Sequence, residues 1–302
     1  MFKPTVAGAF ALSLLAFSSL SATADPLSGT SGNASGSATV TVGSADFPES
    51  QLLATIYAKA LQAKGMDVAT RLNIGSREVY IPALLDGSID LLPEYSGALL
   101  SYLNKESTAH APDEVLEALK EALPDGVTIL EASDAQNSDM LAVTRETAEK
   151  YGLETIGDIA PVGGEIVVGA APEWRTRHEG LVGLNEVYGI DFKSMKPLDV
   201  GGPLTLSALV NGQVQAANLF STDPAIAAND LVVLKDDKNL FSAQNIVPLI
   251  AEAKLTDDIS STLDAVSEAL TTEDLVEMNG RLAQHEGYDA VAEDWLTENG
   301  LN

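Results

Sequence analysis

Apolar residues recur along this chain with two different periods, and the alternation between them predicts the architecture. Short aliphatic runs at 40–42, 68–72, 89–92, 127–130, 140–143, 166–169, 231–234 and 246–250 have the length of buried strands. Between them lie stretches of helical period. Leu52, Leu53, Ile56, Tyr57, Ala60 and Leu61 follow Pro48, whose preset φ and missing N–H suit the first helical position. Gly65 ends that stretch. Further helices are expected from the Gly75-Ser76-Arg77-Glu78 turn through Leu85, near 181–188, and at 256–270, 272–285 and 289–296. Thr256-Asp257-Asp258 and Thr272-Glu273-Asp274 each offer a capping hydroxyl and acids for the positive end of a helix. Strands alternating with helices give mostly parallel sheets.

One segment of the pattern occurs twice. Residues 83–96 end a helix, pass Asp86-Gly87, form an apolar strand and finish on Tyr95-Ser96; residues 208–221 do the same through Asn211-Gly212 and finish on Phe220-Ser221. Gly is the usual residue just past a helix end because it enters the left-handed region without penalty. In open α/β sheets, ligands gather at the carboxyl ends of strands. The repeat therefore implies two similar lobes, each presenting an aromatic ring and a hydroxyl to a shared cleft: Tyr95 with Ser96, and Phe220 with Ser221 and Thr222. The strand at 246–250 reads as returning to the first lobe, so two segments cross between the lobes and form a hinge. The expected division is 39–143 plus 245–302 for the first lobe and 144–244 for the second.

Composition narrows the class. The 302 residues carry 17 Lys and Arg against 44 Asp and Glu, a net charge of −27, which repels nucleic acid and anionic lipid. Cysteine is absent, which excludes disulfides, thiol nucleophiles and thiolate metal sites. His110, His178 and His285 lack metal-ligand spacing. No Gly-x-Ser-x-Gly elbow, phosphate-cradling Gly-x-x-x-x-Gly-Lys or His-Glu-x-x-His occurs, so neither a catalytic residue nor a cofactor is assigned. At the N-terminus, Lys3, an apolar run over 6–17 and Ala22-Thr23-Ala24 form a signal-peptide pattern over 1–24, too short for the roughly 20 apolar residues of a membrane span. Leu20-Ser21-Ala22-Thr23 is similar to a bacterial lipobox with Thr in place of the lipidated Cys. The expectation is an exported chain that is soluble as written, with residues 25–38 as a Gly/Ser-rich leader.

Only six arginines occur, so their positions carry information. Arg177 follows the strand at 166–169, beside Trp174. A guanidinium there either clamps a solute carboxylate bidentately or pairs with one of the many surface acids. Arg77 stands equally between bracing its own turn, through Glu78 or a nearby carboxylate, and facing the cleft. Tyr95 and Phe220 are either core or cleft aromatics; their matched places in the repeat favour the cleft, where ring faces attract quaternary ammonium groups. Residues 134–139 precede the first crossing and offer polar groups, among them Asn137 and Asp139, to the cleft floor.

Three stretches together, Gly43-Ser44-Ala45-Asp46-Phe47-Pro48-Glu49-Ser50-Gln51, Asn73-Ile74-Gly75-Ser76-Arg77-Glu78 and Pro93-Glu94-Tyr95-Ser96-Gly97, with Pro172-Glu173, Val187-Tyr188-Gly189, Ser221-Thr222-Asp223 and Asp236-Asp237-Lys238 further on, resemble the substrate-binding subunits of osmoprotectant ABC importers. The likeness runs from about Val40 to near the C-terminus. It implies an α/β, two-lobed type II periplasmic-binding-protein fold, with the ligand in a cleft between lobes joined by two crossing segments. It also implies a small zwitterionic or cationic solute such as a betaine, choline or carnitine, and a partner permease with its ATPase. A receptor that docks on a permease is most simply a monomer. Family members cage the ammonium group with several tyrosines and hold the carboxylate with Arg and hydrogen-bond donors. By this resemblance Tyr95 and Phe220 take cage positions, Arg177 the carboxylate position and Asn137 the cage floor. Asp139 and Gln244 stand where further aromatics are common. An orphan or sensory binding protein, and an extracytoplasmic enzyme on the same fold, are the alternative readings.

Overall fold

The structure, a computed structural model, describes residues 39–302; the expected signal peptide (1–24) and leader (25–38) lie outside the described residues. Ten strands form two five-stranded sheets. The first contains β1 (Val40–Gly43), β2 (Val68–Arg71), β3 (Leu91–Tyr95) and β4 (Val127–Ile129); the second contains β5 (Asp139–Thr144), β6 (Val167–Ala170), β7 (Ser194–Pro197), β8 (Ala216–Phe220) and β9 (Leu231–Val233). The tenth, β10 (Ile246–Ala251), rejoins the first sheet. The sheet orders are β2-β1-β3-β10-β4 and β7-β6-β8-β5-β9, so the two lobes share one plan.

In each sheet the strand that has just crossed between lobes runs opposite to the others. β10 is antiparallel to β3 and β4, and β5 is antiparallel to β8 and β9, while β1 pairs in parallel with β2 and β3 and β6 with β7 and β8. The expectation of mostly parallel sheets therefore meets one reversed strand per lobe, and that strand is the price of exchanging chain between lobes. The same register moves the first crossing. Residues 139–143, placed with the first lobe by the sequence division, pair with β8 from Asp139↔Phe220 onward and belong to the second sheet. β7 has no counterpart among the expected strands. It is a half-exposed edge carrying Lys196 and Pro197, without the apolar run of a central strand.

The central strands are mostly apolar because helices cover both faces of each sheet; all five residues of β3 are buried, Glu94 among them. The helix Pro48–Ala63 begins with Pro, as expected, and buries Leu52, Leu53, Ile56, Tyr57 and Leu61. These pack with β1, β3 and the helices Asp257–Ala269 and Tyr288–Glu298 into the core of the first lobe. Leu141, Ile156, Ile166, Val168, Trp174 and Leu184 build a corresponding core in the second. The repeat is real in three dimensions. Helices Arg77–Leu85 and Pro203–Val210 both run out into a left-handed glycine, Gly87 at φ 80° and Gly212 at φ 69°, and the chain then turns into β3 and β8. The two crossings lie side by side, with a bridge between Gln136 and Asn245 and a backbone bond from Asn137 N to Gln244 O of 3.1 Å.

Candidate functional site

The carboxyl ends of β1, β3, β6 and β8 converge on a cavity of about 60 Å³ between the lobes, walled by Phe47, Arg77, Tyr80, Tyr95, Asn137, Asp139, Trp174, Arg177, Glu179, Phe220 and Gln244. Six of the sequence candidates (Tyr95, Asn137, Asp139, Arg177, Phe220 and Gln244) thus meet at one place. Tyr95 and Phe220 are bridged by a third ring. Phe47 lies 5.7 Å from Tyr95 and 5.8 Å from Phe220, centroid to centroid, within the range of favourable aromatic pairs. Phe47 stands outside the sequence candidates, although it follows β1, and the strand-end rule that selected Tyr95 and Phe220 applies to it equally. Trp174, buried and also on the wall, carries a ring Nε1 that has no hydrogen-bond partner among the described residues.

Three of the candidate hydroxyls do not line this cavity. Ser96 Oγ accepts from Asn245 N at 3.1 Å and donates to the Ala243 carbonyl, and Ser221 Oγ accepts from Ser138 N at 2.9 Å. Both serines therefore brace the crossing segments. The reason is local: consecutive residues at a strand end face different ways, so an aromatic turned to the cleft puts the following Ser toward the hinge. Thr222 reaches a carboxylate instead. Its Oγ1 donates to Glu49 Oε2 at 2.6 Å. Glu49, buried in the first turn of the Pro48–Ala63 helix, also accepts from Tyr95 Oη at 2.8 Å, Asn137 Nδ2 at 2.7 Å and Asn279 Nδ2 at 2.6 Å. Four neutral donors from both lobes thus satisfy one carboxylate at a helix N-terminus, where its charge is favoured. Burial, then the Glu49 carboxylate, pushes the Tyr95 phenol well above its ordinary value, so it stays protonated as a donor.

Both arginines at the cleft are occupied. Arg77 grips Glu94 with Nε and Nη2, both at 2.8 Å, in a pair that is almost wholly buried. Tyr80 Oη and Tyr95 N complete the Glu94 carboxylate. Arg77 therefore both lines the cleft and braces the lobe, but through Glu94, not Glu78. Arg177, on the second lobe, reaches across to Glu78 on the first with Nε and Nη2 at 3.2 and 3.0 Å. Burial opposes ionisation of Glu78, but bonds from Arg177 and Ser76 outweigh it and hold its carboxyl down at about 2. A further interlobe bond runs from Ser101 Oγ to Glu179 Oε2 at 2.7 Å.

Asp139 is the unbalanced charge of the wall. Burial and then the neighbouring Glu179 carboxylate push it up to about 6, against the Asn218 Nδ2 bond of 2.8 Å and the fields of Arg177 and Arg77. Gln244 is buried and accepts from Ala98 N at 2.9 Å, which fixes its amide against the helix that follows Tyr95. Glu49, Glu78, Glu94, Glu179 and Asn279 are acids and an amide around the site that sequence reasoning does not assign to it. Each is one acid or amide among many, and only long-range pairing gives it meaning.

Two α/β lobes that exchange a strand and close on an aromatic, charged cleft define a solute-binding protein of the periplasmic-binding class. Residues 38–298 match the family described as the substrate-binding domain of the ABC-type glycine betaine transport system, and the chain belongs to that family. It is 29% identical over 277 residues to the carnitine transport binding protein OpuCC of Listeria monocytogenes, covering 86% of this chain and 87% of that one. It is 28% identical over 280 residues to a glycine-betaine-binding protein of Pseudomonas aeruginosa, covering 87% and 88%. Among solved structures, a glycine betaine/carnitine/choline ABC transporter protein superposes with a TM-score of 0.68 at 25% identity, covering 87% of this chain and 99% of that one. A choline-binding protein in complex with choline superposes with a TM-score of 0.62 at 16% identity, covering 87% and 89%, a likeness of fold.

Proposed function

We propose that this substrate-binding protein captures a small quaternary-ammonium solute between its lobes and delivers it to an ABC permease, and that Phe47, Tyr95, Phe220 and Trp174 form the ammonium site. The observation that carries this reading is the bridged set of rings beside the acids Asp139 and Glu179. Ring faces attract a quaternary ammonium by ~0.5–2 kcal/mol each, and a nearby carboxylate adds direct charge attraction that is stronger between protein walls than in bulk water. Asn137 and Gln244 shape the floor. The protein binds without turning over its solute, acts as a monomer outside the cytoplasm, and loses residues 1–24 on export. Among the described residues no helix is long and apolar enough to cross a membrane.

Calorimetric titration of the mature chain against glycine betaine, choline, carnitine, proline betaine and ergothioneine tests this. Saturable binding of at least one compound, weakened by Phe47→Ala or Phe220→Ala, is expected. No heat with any of the five in the wild-type protein would remove quaternary ammonium compounds from consideration.

A further inference from the structure

Each guanidinium that faces the cleft already holds a protein carboxylate in its fork: Arg77 holds Glu94 within the first lobe, and Arg177 holds Glu78 across the lobe boundary. Glu173, the other acid near Arg177, stands 4.0 Å away, too far for a hydrogen bond. The remaining acids on the wall, Asp46, Asp139 and Glu179, have no Lys, Arg or His partner among the described residues. Asp139 is bonded to an amide and Glu179 to a serine hydroxyl. The cleft thus offers a solute acidic charge and aromatic faces, and the Nε/Nη2 edge of each guanidinium is already taken by a protein carboxylate. A solute carboxylate seeking this edge of Arg177 would have to displace Glu78, which Ser76 Oγ also holds at 2.6 Å, while facing Asp139 and Glu179.

We propose that Glu78 is the specificity gate of this receptor: by filling the Arg177 fork from the opposite lobe, it selects a quaternary ammonium cation that carries no carboxylate over a zwitterionic betaine. This rests on the quaternary-ammonium reading above and deepens it. The gate has two parts. Glu78 stands at the first turn of the Arg77–Leu85 helix, where its charge is favoured, and its bond to Ser76 aims it before the lobes close. Arg177 begins the turn that carries Glu179, so its fork and the nearest free acid move together with the second lobe. Closure around a cation therefore makes the Arg177–Glu78 pair without help from the solute.

Choline and glycine betaine share a trimethylammonium and differ in a hydroxyl against a carboxylate, so their ratio of dissociation constants reads the gate directly. In the wild-type protein choline is expected to bind about tenfold tighter or better, the size of one partly exposed bidentate pair together with the repulsion behind it. Glu78→Gln keeps the side chain's shape and frees the fork. It should raise glycine betaine affinity about tenfold while changing choline affinity less than threefold, and Glu78→Gln with Arg177→Gln should abolish that gain. Melting temperatures of the variants confirm folding, since Glu78 is exposed. If neither compound binds the wild-type protein, the gate is wrong, and the quaternary-ammonium reading falls with it when carnitine, proline betaine and ergothioneine also give no heat. If both bind equally, or if Glu78→Gln leaves their ratio unchanged, the reading stands and the gate is wrong.

Discussion

The two lobes carry the same sheet order, the same helix-glycine-strand repeat and an arginine beside the cleft, yet they use that arginine differently. Arg77 of the first lobe is sealed onto Glu94 within its own lobe, with side chains 6% and 0% exposed. Arg177 of the second is 21% exposed and its partner Glu78, on the other lobe, 43%. The difference separates architecture from function. A contact made inside one lobe persists whether the cleft is open or shut, and its loss is felt in stability. A contact made between lobes exists only in the shut state, and its loss is felt in binding. Arg77→Ala is the sharpest way to break the comparison, because it strands a buried carboxylate. It should cost about 3–5 kcal/mol, a drop in Tm on the order of 10 °C for a chain of this size. Arg177→Ala, at an exposed pair, should move Tm by no more than about 2 °C. Equal losses in a thermal melt would show that the lobes do not differ in this way.

Glu49 straddles the same divide, and its donors can be taken apart one by one. Tyr95, Asn137 and Asn279 approach from the first lobe and the crossing, and Thr222 from beyond β8 in the second. Glu49→Ala leaves the buried donors of Tyr95, Asn137 and Thr222 without their shared acceptor and should lower stability by roughly 2–3 kcal/mol even without solute. Thr222→Val removes the two bonds its hydroxyl makes across the lobes, to Glu49 and from Asn279 Nδ2, and leaves the other Glu49 donors in place. It should leave the unliganded Tm nearly unchanged and weaken solute affinity about fivefold, the equivalent of one hydrogen bond. A Thr222→Val protein that melts early yet binds normally would place Thr222 with the in-lobe contacts.

What could be read from the sequence follows the same line. Features set by local pattern were legible: the helix behind Pro48, the glycine stops at 87 and 212, the paired strands ending in Tyr95 and Phe220, and five of the six residues that meet in the cleft, Gln244 coming from the family resemblance alone. Features set by pairing between distant segments were not. The orientation of Ser96 and Ser221 depends on which side of the strand end faces the hinge. The lobe to which residues 139–143 belong depends on β8 and β9, which follow them by many residues. Glu49, Glu78 and Glu94 are three acids among 44 Asp and Glu, and nothing in their own neighbourhoods distinguishes a latch, a gate and a buried brace. Charge abundance hid the site's charges.

The smallest expected effect concerns the acid that no cation balances. Asp139 faces Glu179, Glu173 and Arg177 from the second lobe, Arg77 and Asp46 from the first, and the Asn218 amide on the adjacent strand. Its carboxyl is pushed up to about 6 in the fold, above its ordinary value, so the folded protein takes up this proton more readily than the unfolded chain. The sign for stability is that this group favours folding more as pH falls through 6 toward the ordinary carboxylate range, opposite to Glu78, whose depressed value gives stability above that range that is lost in strong acid. For binding, the charged form is the one that attracts a cation. Between pH 7 and pH 5.5 the ionised fraction drops by roughly three- to fourfold, and choline affinity should fall by up to that factor. Asp139→Asn should bind choline weakly at both pH values, with the slope gone. A wild-type affinity that does not move over this range, or an Asp139→Asn protein that keeps the slope, would assign the cation's attraction to the rings alone and leave the two lobes contributing through Phe47, Tyr95 and Phe220 without help from charge.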